Sequence, residues 1–127
     1  MIARASKFYI GYLFNMEIED IKNKIVALAT IGSDGKPHNI AIELNSFENN
    51  KVVITNNEMK TTVENIKSNP HVSLVYWEGD DGVRIDGTVE YFDSGKWLDF
   101  VKGLPENNGF AANGALVIDV EDIKELG

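Results

Sequence analysis

The sequence predicts a mainly β protein, a small antiparallel barrel of six strands with short peripheral helices. Three observations predict it. Six apolar runs rich in Val, Ile, Tyr and Phe recur along the chain. Most are joined by short polar turns, which makes sequential neighbours antiparallel. Helical spacing between strands is confined to one stretch after the third run and one after the fifth. Six twisted strands with few polar faces close on themselves to remove their edges. At 127 residues the chain is one domain spanning 1–127, long enough to bury about two thirds of its unfolded surface.

The elements follow in order. "EIEDIKNK" carries Ile18 and Ile21 at helical spacing, continuing to Ile25, and reads as a short amphipathic helix. "IVALATIG" is a β-branched apolar run stopped by "SDGK", so it is a buried strand ending in a glycine turn. "HNIAIEL" alternates, with Ile40, Ile42 and Leu44 on one face and Asn39, Ala41 and Glu43 on the other. These two strands form a hairpin. "NSFENN" turns the chain and "KVVIT" is the third strand. "NNEMKTTVENIKSNP" follows, and within it Thr61 and Glu64 fit a capping box for a helix over 62–68. Asn69-Pro70 ends that helix, because the residue before proline avoids helical angles. "HVSLVYW" is the fourth strand, "EGDDG" a turn, and "VRIDGTVEYF" a long fifth strand whose Gly87 suggests a bulge or sharp bend. "DSGKWLDFVKGL" spaces Trp97, Phe100, Val101 and Leu104 as a helix does. "PENNGFAANG" is a loop, "ALVIDV" the last strand and "EDIKEL" a short tail.

Charge and composition exclude several function classes. Twelve Lys and Arg against 20 Asp and Glu give a net charge of −8, which opposes general binding to nucleic acid or an anionic membrane. No run approaches the ~20 apolar residues of a membrane span. Residues 1–16 place basic residues before a short apolar run without a small-residue cleavage pattern, so they read as an N-terminal arm or helix, not a secretory leader. The absence of cysteine removes thiolate chemistry and fits a cytoplasmic location. His38 and His71 lack ligand spacing, so no metal site is expected. No acid–base or nucleophile constellation is visible, and no catalytic side chain is assigned.

The polar stretch between the third and fourth strands offers more than a turn. A helix start presents free N–H groups and the positive end of its dipole. Lys60 and the hydroxyls of Thr61 and Thr62 add a cation and two donors, a set competent to hold a phosphate. Most capped helices bind nothing, so these residues alone leave both readings open.

The ordered set "VALATIGSDGKPHNIAI", "KVVITNNEMKTTVENIKSNPHVSLVYW", "VRIDGTVEYF" and "ALVIDV" resembles the pyridoxamine 5′-phosphate oxidase-like flavin-binding split barrels, over about residues 17–123. The resemblance is strongest to their small single-domain FMN-binding members. It implies a split form of the barrel, a homodimer, and FMN in a groove between two subunits. It also implies that Lys60, Thr61 and Thr62 meet the phosphate. The ring is then expected along the backbone of Ala41, Ile42, Glu43 and Leu44 and of Ile54, Thr55, Asn56 and Asn57, with Asn39, Ala41, Thr55 and Asn57 as small or polar residues that let it approach. One departure is visible. The family carries Lys or Arg immediately before the threonine that aligns with Thr62; here Thr61 stands there and the cation is Lys60, an offset of about 100° at a helix start.

The implied function is that of an FMN-dependent oxidoreductase working between a small-molecule electron donor and acceptor. Two alternatives stand beside it: a flavin-binding or electron-carrier module without turnover, and a cofactor-free dimeric barrel. Relatives that bind haem or a deazaflavin exist, but haem wants an axial ligand and only two His are available. The chain ends near its last strand, so oxidation of pyridoxamine phosphate itself is not expected.

Overall fold

The computed structural model describes residues 18–126, with only the backbone of Ile18 and Glu19. The arm expected over 1–16 lies outside these residues. The chain opens on a 3-10 turn, Ile18–Ile21, shorter and tighter than the amphipathic helix the spacing suggested. Seven strands follow: β1 Ile25–Ile31, β2 Pro37–Glu43, β3 Ser46–Glu48, β4 Lys51–Asn56, β5 His71–Glu78, β6 Asp81–Phe92 and β7 Gly114–Leu126. Two helices, α1 Thr61–Ser68 and α2 Lys96–Lys102, fall after β4 and β6. All pairings are antiparallel, in the order β2-β1-β5-β6-β7-β4-β3. The sheet curls until β2 lies near β4 with no ladder between them, so the barrel is split there.

One expected turn and the expected tail are strand. "NSFENN" contains β3, paired Ser46 to Val53 and Glu48 to Lys51 across Asn49-Asn50. Both asparagines have positive φ, 52° and 63°, as a two-residue type I′ turn requires. The "EDIKEL" tail continues β7, whose pairing with β6 runs to Leu126 opposite Gly82. The strand count is therefore seven. Gly87 does mark a bulge: the register shifts between Asp86 and Gly87, leaving Glu121 of β7 without a partner residue on β6.

Alternation sets the core. Val26 and Leu28 of β1, Val52 and Ile54 of β4, Leu74, Ile85, Leu116 and Ile118 fill the barrel interior. β4 is buried on both sides, because Val53 joins a second cluster with Val101, Ala112, Ala115 and Val117 beneath α2. α1 packs Ile66 into the core, buries Val63, and its Asn65 amide donates to the Thr30 hydroxyl at 3.0 Å. β2 is an edge strand with no fully buried residue, and its first residues, Pro37 and His38, face α1 across a cleft.

Candidate functional site

The corner between β4 and α1 is rigid. The Asn56 side-chain oxygen accepts the Met59 N–H at 2.6 Å, and its amide donates to the Tyr91 hydroxyl at 2.8 Å. The Asn57 side chain accepts the Ala112 N–H at 2.9 Å, and its carbonyl accepts from the Asn113 amide. Lys60 precedes the helix in a non-helical conformation, φ −127°, and no side chain caps it. The expected capping box is absent: Thr61 is already the first helical residue, because the Asn56–Met59 turn brings the chain into the helix one residue early. The first-turn N–H groups are thus left without a side-chain acceptor. Lys60 and Thr61 are exposed beside them, while Thr62 is buried at 2%. An ammonium, a hydroxyl and uncapped helix N–H groups form a donor set that fits a phosphate.

The β2 residues expected to face a ring divide by face. Asn39 and Ala41 are exposed on the outer face. With Ile25, Ala27, Ile40 and Trp77 they line a shallow apolar groove of about 280 Å³. Ile42 and Glu43 are half-buried. Ile25 and Trp77 are 60% and 63% exposed, so this sheet face is apolar and uncovered. Its shape suits one side of a flat ring. Thr55 does not share it. Thr55 is 3% exposed, its hydroxyl donates to Asn45 at 2.8 Å and accepts from the Asn107 amide at 2.9 Å. Both faces of β4 are covered, so Thr55 presents no side-chain atom to a ligand on the outer face. Asn57 sits at the corner instead, with its side chain spent on Ala112.

A polar network missed by the sequence reading ties these strands together. The Glu106 carboxylate accepts from the Asn23 amide at 2.8 Å and from the Asn45 amide at 3.1 Å, and Asn23 also donates to Glu43 at 2.7 Å. Asn45 in turn accepts both the Thr55 N–H and its hydroxyl. Isolated asparagines far apart in sequence give no periodic signal, so only the fold reveals this chain of bonds. Desolvation pushes the Glu106 carboxyl upward, but its backbone bond, the bonds from Asn23 and Asn45, and the nearby Lys22 charge outweigh it and hold the group below the usual value. A depressed native pKa adds stability above the unfolded value, about 4.3, and loses it as pH falls through the native one. Acid unfolding should therefore lose part of its steepness in Glu106→Gln, read by urea melts between neutral and acidic pH. An unchanged acid limb would show that the network carries no proton linkage.

A second concavity adjoins the corner. The β1–β2 turn and the outer face of α1 enclose a polar cleft of about 520 Å³, with Thr61 in its wall. His38 is half-buried there. His71 is exposed at the start of β5. Arg84 is held by Asp86 at 3.2 Å, which also accepts from Ser73. Among the described residues no group of three or more His, Asp or Glu is placed to hold a metal ion. No described helix is long and apolar enough to cross a membrane.

The family profile described as pyridoxamine 5′-phosphate oxidase matches residues 14–127. A pyridoxine/pyridoxamine 5′-phosphate oxidase of Microcystis aeruginosa is 32% identical over 106 residues, covering 79% of this chain and 49% of that protein. The chain thus spans about half the length of that relative. The fold is similar to HupZ of Group A Streptococcus, with a TM-score of 0.79 at 20% identity over 86% of this chain and 90% of that one. It is also similar to an FMN-binding protein from Syntrophomonas wolfei, with a TM-score of 0.67 at 15% identity over 80% and 76%.

Proposed function

The chain belongs to the pyridoxamine 5′-phosphate oxidase family, and from that premise we propose that it binds FMN between two copies of itself and works as an FMN-dependent oxidoreductase on a small molecule. The observation that carries this reading is the uncapped start of α1, where Lys60 and Thr61 are exposed and Thr61 shares a cleft with Pro37 and His38 of β2. A phosphate there receives the Lys60 charge, the Thr61 hydroxyl and the first-turn N–H groups. Asn39 and Ala41 on β2 offer a flat, small-sided approach for the ring, and Trp77 walls it. The bound flavin supplies hydride chemistry, and the chain supplies position and electrostatics. No side-chain acid or base is needed next to the ring, which suits a groove lined by apolar residues and one asparagine.

The second copy enters because the groove covers one side of the ring only. Ile25, Ala27, Ala41 and Trp77 form an uncovered apolar face, and a partner subunit packed on it would exclude water from the other side. The reading places the protein in the cytoplasm, working with soluble electron donors and acceptors.

Sedimentation of the flavin-loaded protein at micromolar concentration should give one dimer carrying one FMN per chain. A monomer that holds FMN equally well would remove the intersubunit groove and leave a different binding mode. Rapid mixing of the loaded dimer with nicotinamide donors should bleach the flavin band. Loading without any reduction would make it a carrier, not an enzyme.

A further inference from the structure

Tyr91 lies on β6, yet its hydroxyl reaches the corner that the reading above gives to the phosphate. We propose that Tyr91 is a positioning residue for phosphate recognition, acting through Asn56 to aim the start of α1. The proposal rests on the flavin reading and deepens it.

The path crosses three strands. In the order β6-β7-β4, Tyr91 pairs with Leu116 and Asn56 pairs with Gly114. Leu116 and Gly114 are two residues apart, hence on one face of β7. The Tyr91 side chain runs over Gly114, where an added Cβ would collide with its hydroxyl and ring. β7 thus carries no side chain at the position the tyrosine crosses. Beyond it, the Tyr91 hydroxyl accepts the Asn56 amide at 2.8 Å, and the Asn56 side-chain oxygen accepts the Met59 N–H at 2.6 Å.

Chemistry fixes the order of these bonds. The Met59 N–H can only donate, so Asn56 must turn its oxygen toward Met59 and its amide toward Tyr91. Asn56 is 5% exposed, so water does not readily replace a lost partner. Without the hydroxyl the amide has no acceptor, and the carboxamide can rotate away from Met59. Lys60 and Thr61 follow directly, so the first-turn N–H groups of α1 then lose their fixed direction. A helix start holds an anion through N–H groups that point at it, so direction decides affinity. Tyr91 also meets the last turn of the same helix, where the Lys67 ammonium sits 5.5 Å from its ring centroid. Phenylalanine at this position keeps the ring and removes the hydroxyl alone.

Fluorescence titration of the flavin-free full chain with FMN and with riboflavin, for wild type and Tyr91→Phe, tests this. Tyr91→Phe should weaken FMN about tenfold and leave riboflavin within about twofold. A tyrosine that only supports the barrel would weaken both flavins alike, and that result overturns the proposal, as does unchanged FMN binding. In an Asn56→Ala background the same substitution should add less than about twofold, because its route is already gone. An undiminished loss there overturns the route through Asn56. The Met59 amide gives a readout without ligand: its hydrogen exchange should quicken at least ~10-fold in Tyr91→Phe. An unchanged exchange rate overturns the clamp. If wild type binds neither flavin, the flavin reading falls and the phosphate role of Tyr91 falls with it, whatever the exchange rate shows.

Discussion

Gly87→Ala should cost the fold about 3 kcal/mol, a large loss for adding one methyl group. A Cβ built at Gly87 would lie 2.3 Å from the Asp119 carbonyl oxygen and 2.7 Å from the Ile118 side chain. The first of these is backbone, held in the ladders of β7 with both β4 and β6, so it cannot swing aside as a side-chain tip can. The φ of Gly87 is not positive, and the requirement is close approach, not a left-handed backbone. The cause is the bulge: β7 carries Glu121 unpaired opposite the Asp86–Gly87 step, which draws the two backbones together where the sheet bends. Stability for a domain of this size is about 5–15 kcal/mol, so the loss is a substantial fraction and visible as a lowered urea midpoint with an unchanged slope. Gly103→Ala is the control. Its φ is −84° and the nearest atoms to an added Cβ are at 3.6 Å, so it should stay within about 0.5 kcal/mol of wild type. Equal stability of the two variants would mean that β7 can slide away from β6 at the bulge.

The same glycine shows what sequence patterns disclose. A glycine inside an otherwise β-branched run has few explanations, and a bulge is the commonest. The β1–β2 hairpin, the α1 helix and β5 were equally readable, because one face of each is buried and its period survives in the sequence. β3 was hidden by its polarity, since Ser46-Phe47-Glu48 has one large apolar residue and sits at the edge of the sheet. Its one signal was Asn49-Asn50, a residue pair that tolerates positive φ at both positions. The end of β7 was hidden by the bulge, which breaks period two after Val120 and leaves charged residues facing water. The candidate site divides in the same manner. The helix start at Lys60 and Thr61 was readable because it is a local feature. The burial of Thr55 was not, because it depends on Asn45 and Asn107, ten and 52 residues away. The cleft was not, because its walls come from a turn and a helix that only the curl of the sheet brings together.

FMN should bind over a hundredfold more tightly than riboflavin, a difference of at least ~3 kcal/mol, if the β4–α1 corner holds the phosphate. The two ligands share the ring and the ribityl chain, so every contact in the groove at Asn39, Ala41 and Trp77 is common to both. They differ by a dianion alone. At the corner that dianion meets a helix terminus that no side chain caps, one hydroxyl at Thr61 and one ammonium at Lys60. Thr62 adds little, because it is buried at 2% and faces away from solvent. Lys60 is exposed, so water screens its charge, and Lys60→Ala should weaken FMN by only about tenfold while leaving riboflavin unchanged. On this expectation most of the discrimination comes from the backbone N–H groups and Thr61, and a cation displaced by one residue would cost little. Added salt should weaken FMN binding and hardly touch riboflavin, since charge separates the two. Fluorescence titration of the flavin-free protein with each ligand at two ionic strengths reads all of these differences. Equal dissociation constants for FMN and riboflavin would mean that the open start of α1 is hydrated and that the corner only turns the chain.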